Sequence, residues 1–334
     1  MSHGSSYSIG RSSVPPHPTL SPGPARPLAS GRPAAPPALR LLAAGVCCLV
    51  ALGLVGVVFV WTEPGQWVDG LLLPRAERGG GYQQPGGLFG PATVVLRHFG
   101  QPALLAVLLT AVLAVGLLGR RLLPGVVGVG MVLAAVLAAG AAKSALPRPD
   151  LAVPDSTTHN SFPSGHVAVA TALALAFLLA APGAARRWLV VPGATGVSVI
   201  GAATMIAGWH RFSDVLGGVL LSMALFCLAA AALAVRSGGD APRPSGGPSS
   251  GRVRRALVEA AVGLAVLVWA VRVLVPGLAA ELRWGPFLAV LLATASTLLA
   301  VGVAAFLIRS VEFAKPVSTG RERAAGIDKY KIYS

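Results

Sequence analysis

Charge is what this sequence has least of. Asp, Glu, Lys and Arg make up 12% of its 334 residues, against about 25% in ordinary soluble domains. That shortage excludes a conventional solvated surface over most of the chain. Acidic residues are scarcer still, 12 against 27 Lys and Arg, for a net charge of +15. A basic excess can mark a nucleic-acid binder. Here, however, the cations lie in short segments between apolar runs, where a membrane protein needs them for orientation, so no nucleic-acid partner is expected. Only three cysteines occur, Cys47, Cys48 and Cys227, all inside apolar runs, which leaves no disulfide framework and no Cys-based metal site to read. Large apolar residues are sparse in residues 1–38, a stretch rich in Pro, Ser, Gly and Arg. Such a segment cannot bury enough surface to order itself, and it lacks the apolar core of a signal peptide. It reads as a disordered cytoplasmic tail.

What the chain does have is long apolar runs. Eight are long enough to be read as helices crossing a ~30 Å hydrocarbon layer: 39–61, 101–119, 123–142, 165–182, 188–208, 214–235, 256–276 and 285–308. The expected fold is all-α, a polytopic transmembrane bundle of about eight helices. Six of them form a core within residues 39–235. A cytoplasmic linker follows at 236–255, then two further helices within 256–308 and a basic cytoplasmic tail at 309–334. With the N-terminus inside, 19 Lys and Arg fall on the cytoplasmic side and 7 outside. That bias puts both termini in the cytoplasm and turns segments 143–164 and 209–213 outward, in the cell membrane.

Those two outward segments carry the polar chemistry. The first holds Lys143, Arg148-Pro149 and then Pro163-Ser164-Gly165-His166. A helix N-terminus offers unpaired N–H groups and the positive end of a dipole, which suits a phosphate. Gly165 allows close backbone approach, and Ser164 can either cap the helix or donate to a phosphate oxygen. The plainer reading is a serine cap beside an interfacial histidine. The second segment holds His210, Arg211 and Asp214. Spacing of i, i+4 puts His210 and Asp214 on one face of a helical turn, where a carboxylate can fix the imidazole tautomer and leave the other nitrogen free to attack. A helix cap beside an interfacial His is the alternative. A metal pair is disfavoured because no Cys, Glu or close second His completes a ligand set. Lys143 and Arg148 supply positive charge, or else snorkel from a solvated loop.

Taken together, these motifs resemble the type-2 phosphatidic acid phosphatases, relatives of the vanadium haloperoxidases and of glucose-6-phosphatase. Their pattern is K-x6-R-P, P-S-G-H and S-R-x5-H-x3-D. Pro163-Ser164-Gly165-His166 matches in full, and so does His210-x3-Asp214 followed by Val215-Leu216-Gly217. The resemblance covers about 60 to 235. It implies that His210 is the nucleophile, Asp214 its orienting carboxylate and His166 the acid for the leaving oxygen. It also implies that Lys143, Ser164 and Gly165 bind the phosphoryl oxygens and that no metal or other cofactor is required. The chain departs from the pattern twice. Asp150-Leu151 stand where R-P is expected, and Ala203 and Thr204 stand where Ser and Arg are expected. Arg148 and Arg211 are the cations available to replace the displaced pair.

The expected function is therefore hydrolysis of a lipid-linked phosphate monoester or diphosphate through a phosphohistidine. The partners are the lipid phosphate substrate and the surrounding membrane lipids; no oligomeric state is read from the sequence. Abundant Ala, Gly, Arg and Pro fits a GC-rich bacterial genome and so an envelope lipid. The rival from another class is a non-catalytic lipid-binding or partner-binding membrane protein that keeps the fold with a weakened phosphate clamp.

Overall fold

The computed structural model describes residues 1, 36–73, 87–153, 156, 159–237, 284–309, 311 and 313. The chain divides into two units, 1–34 and 35–334. Of the first only Met1 is described, and everything below belongs to the second. Its described residues form nine α-helices and no strand: α1 (Pro37–Trp61), α2 (Glu63–Leu71), α3 (Phe89–Phe99), α4 (Pro102–Leu118), α5 (Leu122–Ala145), α6 (Gly165–Ala180), α7 (Gly183–Ile206), α8 (Phe212–Arg236) and α9 (Trp284–Ile308). Among them, α1, α5, α7, α8 and α9 are long and apolar enough to cross a membrane, and α3 with α4 makes a sixth if that pair, bent by 61°, counts as one span. This is a multi-pass helical bundle, as the apolar runs require.

The eight expected spans are accounted for as follows. The run at 165–182 is α6, only 16 residues long and about 24 Å at 1.5 Å per residue. The run at 101–119 is α4, joined through Gly100 and Gln101 to α3. Pro102 at the start of α4 has no N–H to continue the preceding ladder, so the axis turns there. The run at 256–276, the linker 236–255 beyond Ser237, most of the tail 1–38 and nearly all of 309–334 lie outside the described residues. The stretch 62–100, which reads as a loop, contains α2 and α3.

Burial does not follow hydropathy. In α1 only Leu41, Gly45 and Val60 are buried, while Leu49, Val50, Leu54 and Val57 are exposed. An apolar helix with an apolar outer face belongs against lipid. By contrast α6 is buried almost all round, from Val167 and Ala168 to Leu179 and Ala180. It packs against α4, α5, α7, α8 and α9, and α8 packs against α1, α5, α6 and α9. Small residues set these contacts. A Cβ on Gly128 would lie 3.2 Å from that of Ala176, and one on Gly45 would lie 3.2 Å from that of Cys227. Close backbone approach of this kind substitutes for the hydrophobic drive that lipid removes. Between α7 and α9, Ser198 and Thr297 share a buried 2.7 Å hydrogen bond, the sort of polar contact that contributes roughly 1 kcal/mol in a bilayer.

Candidate active site

Three helix ends meet at one end of α6. The C-terminus of α5 carries Lys143, the N-terminus of α6 carries Ser164, Gly165 and His166, and the N-terminus of α8 carries Arg211 and Asp214, with His210 one residue earlier. Their arrival at one place has a local cause at each end. At the end of α7, Gly208 adopts φ 72°, a left-handed conformation that costs glycine little. The reversal lets both Trp209 and His210 donate their N–H groups to the carbonyl of Thr204. At the start of α6, the Ser164 N–H donates to the carbonyl of Asp214 at 2.8 Å, tying the two helix N-termini together. Gly218 makes this possible, since a Cβ there would come within 2.7 Å of the Ser164 carbonyl oxygen.

Asp214 is the hub. It is fully buried, and its Oδ2 accepts from Ser161 Oγ at 2.6 Å and from the Arg211 N–H at 2.9 Å. The same oxygen stands 3.4 Å from His210 Nδ1. His210 is itself 7% exposed. With Nδ1 turned to the carboxylate, the opposite ring nitrogen is the one left for chemistry. Arg211 Nη1 donates to Ser161 Oγ at 3.4 Å, so serine and arginine both brace the carboxylate.

His166 lies within electrostatic range of His210 and of Lys143. Its ring packs 5.7 Å from that of Trp209 and 6.4 Å from that of Phe99. Lys143 Nζ lies 3.7 Å from where a Cβ would stand on Gly165, so the ammonium sits over the backbone of the P-S-G-H turn. The Ser164 hydroxyl accepts from the Val167 N–H and caps α6. This is the plain cap anticipated for it, and the Gly165 and His166 N–H groups form the first turn beside it.

Arg148 is the unusual member. Only 4% exposed, it has Nε and Nη2 buried without a hydrogen-bond partner. Burial, then the neighbouring Arg211, pulls its guanidinium down to about 10, against the pull of Asp69 and Asp214. The loop carrying it is firmly held. Trp61 Nε1 donates to the Pro147 carbonyl, Gln66 Nε2 to the Pro149 carbonyl and Asn160 Nδ2 to the Leu146 carbonyl. The shortened spacing from Lys143 thus ends in an arginine that faces the same carboxylates as Arg211. At the second departure, Thr204 is buried and its hydroxyl donates to the Gly201 carbonyl, which makes it a piece of helix packing rather than a charge.

The structure therefore brings together all eight residues singled out in the sequence: Lys143, Arg148, Ser164, Gly165, His166, His210, Arg211 and Asp214. It adds four that sequence reading missed. Ser161 and Asn160 shape the approach to Pro163: the Phe162 N–H donates to Asn160 Oδ1, and the Phe162–Pro163 peptide is cis. Gln66 holds the loop, accepting from Ser156 Oγ on its other amide atom. Asp69, fully buried on α2, accepts from the Ser213 N–H at 3.1 Å and from the Ser213 hydroxyl. Burial and the proximity of Asp214 push it up to about 7. Among the described residues no three His, Cys, Asp or Glu side chains are grouped to hold a metal ion.

Beside the site runs an apolar cavity of about 330 Å³ between α1, α5 and α8, lined by Leu52, Gly56, Ala138, Ala142, Phe162 and Leu221 among others. Leu49, Val57 and Trp61, also in its wall, are exposed on the outside of the bundle.

Residues 103–237 match the family model described as the PAP2 superfamily. No curated protein and no solved structure matches the chain.

Proposed function

We propose, with support from the match of residues 103–237 to the PAP2 superfamily model, that this chain hydrolyses a phosphate monoester or diphosphate carried on a membrane lipid, through a phosphohistidine on His210. The observation that carries the reading is the buried pair of His210 and Asp214, braced by Ser161. A carboxylate at Nδ1 fixes the tautomer and stabilises the imidazolium that forms on attack, while the far nitrogen keeps its lone pair. In the first step that nitrogen bonds to the terminal phosphorus as its bond to the leaving oxygen breaks (the lipid alkoxide of a monoester, or the bridging oxygen of a lipid monophosphate in a diphosphate), and His166 gives its proton to that oxygen. In the second, water attacks phosphorus and returns a proton to His166, the nitrogen–phosphorus bond breaks, and inorganic phosphate leaves. Lys143, Arg148, Arg211 and the amides at Gly165 hold the charge spread over the equatorial oxygens. Ser164 holds the turn that presents those amides.

The lipid part of the reading rests on the cavity. It starts at Phe162 and Pro163, directly before Ser164, and its wall reaches the outer face of α1. A hydrocarbon tail lying there would leave its phosphate at His210. The 19-to-7 distribution of cations further supports an extracytoplasmic site in the cell membrane, with 39–235 as the phosphatase domain and two extra helices after it. Cysteine substituted for His159, exposed beside the site, in a variant lacking the native cysteines, should react with an impermeant reagent in intact cells. Reaction only after lysis would turn the site to the cytoplasm.

Phosphate release from a panel of lipid phosphates by the purified protein in detergent tests the activity. Wild type should turn over at least one, and His210→Ala none. The second reading, a lipid-binding protein without activity, is favoured by Ala203 and Thr204 in place of the family's Ser and Arg. It would be supported by binding without turnover across the whole panel.

A further inference from the structure

Among the helices that touch the site from outside the matched segment, α2 brings a buried ionisable side chain, Asp69. Asp69 is 0% exposed. Its two oxygens accept from the N–H and the hydroxyl of Ser213, the second residue of α8. A helix N-terminus leaves its first N–H groups without partners inside the helix. In α8 two carboxylates meet them from different directions. Asp214 turns back to the Arg211 N–H, and Asp69 takes the Ser213 N–H from a residue 144 positions away. No side chain at the N-cap, Arg211, could do this, since a guanidinium has no acceptor.

Asp69 also faces charge. Arg211 on α8 and Arg148 on the 146–160 loop lie within its electrostatic range, as does Asp214. Lys143 on α5 acts on Asp214 in turn. Two buried arginines converge here, and Asp214 alone supplies a single negative charge. An ionised Asp69 evens the count and holds both guanidinium groups toward the site.

We propose that Asp69 is a positioning residue of the catalytic site: it caps the first turn of α8 through Ser213 and balances Arg148 and Arg211, holding His210 and Asp214 in register with the Ser164 turn. The proposal rests on the catalytic reading of His210. Its geometric consequence runs through a bond already described, the Ser164 N–H to the Asp214 carbonyl. A first turn of α8 that rotates or frays would move the nucleophile and the P-S-G-H amides relative to each other. Displacements of about 1 Å from supporting residues can cost on the order of 10²-fold in rate.

The test compares Asp69→Asn, Ser213→Ala and the double variant in detergent-purified protein, with His210→Ala as the control. Asp69→Asn should lower kcat about 10-fold or more with KM changed less than about threefold. Ser213→Ala, which keeps the N–H bond, should lose less. The double variant should lose no more than Asp69→Asn alone, because both act through one contact. The pH profile separates positioning from mere folding. With Asp69 near 7 and its ionised form the working one, wild-type kcat/KM should rise through about pH 7, and that limb should be missing from Asp69→Asn on the same substrate. Stability should move the other way. Burial raises this carboxyl from an unfolded value near 3.8, so its ionisation costs folding free energy progressively from about pH 4 to pH 7. Asp69→Asn should therefore melt no lower than wild type at pH 8. Wild-type activity in Asp69→Asn, additive losses in the double variant, or a loss matched by the unfolded fraction would overturn the proposal. If Asp69→Asn does not fold, full activity in well-folded Ser213→Ala overturns it equally. Activity retained in His210→Ala would instead overturn the catalytic reading on which it stands.

Discussion

Buried arginines cluster at both ends of α6, and the two clusters are built differently. At the end beyond Ala180, Arg186 Nη1 donates to the carbonyls of Ile308 and Val311, at 2.7 and 2.9 Å, and its Nε to that of Ala181. Its guanidinium also lies 5.1 Å from the centre of the Phe313 ring, with that of Arg121 5.8 Å from the same ring. Here an arginine binds backbone carbonyls left over at the end of a helix, closing α9 against the start of α7. At the other end, Arg148 is equally buried, and the carboxylates of Asp69 and Asp214 stand near it instead of carbonyls. An arginine that finds carbonyl partners is a latch. One that stands among carboxylates instead is, under the proposed function, a cation for the substrate phosphate. Sequence alone shows only Arg in both places.

That contrast can be broken or sharpened by substitution. The largest effect is expected at His210, where Ala should remove at least 10³-fold of kcat by deleting the proposed nucleophile, read as phosphate release. Next comes Arg148→Ala, which should lower kcat/KM by roughly 10²-fold, the scale for one transition-state donor. Arg211→Ala should cost less, because Arg211 Nη1 is spent partly on Ser161. A larger loss at Arg211 would mean that the wrong cation has been assigned to the clamp. Ser161→Ala should cost about 10-fold, since Asp214 keeps its bond from the Arg211 N–H when the serine is gone. The smallest catalytic effect is expected at Arg186→Ala, with kcat/KM within about threefold of wild type. Its cost should appear as stability instead, roughly 1–3 kcal/mol from stranded carbonyls, measured by thermal unfolding in detergent. A large catalytic loss at Arg186 without a stability loss would erase the distinction between the two ends.

How legible this was in the sequence depends on range. P-S-G-H and H-x3-D are local patterns, each within four or five residues, and each places its groups by helix geometry alone. Apolar runs likewise announce α1, α5, α7, α8 and α9 without any tertiary information. The helices α2 and α3 do not announce themselves. The first is nine residues with Pro64 and two glycines, and the second is eleven residues with Arg97 and His98 in its last turn. Neither has the length or the purity of a span, so both read as loop. Asp69 was hidden for the same reason, and its partner Ser213 is 144 residues away. Ser161 could have been found from its place two residues before Pro163, but a serine in a loop carries no signal until Asp214 is seen beside it. The shortness of α6 was hidden too, because the apolar run continues past Ala180 into Ala181 and the Pro182 that ends it.

The most direct measurement of the central claim is rapid acid-free quenching of the purified protein with a lipid substrate bearing radioactive phosphate. The account predicts label on the chain that is stable to alkali and labile to acid, as a phosphohistidine is. The label should be absent from His210→Ala and still formed, if slowly, in His166→Ala with an activated leaving group. Turnover of the same lipid with label persisting in His210→Ala, or with no label in any variant, would contradict it.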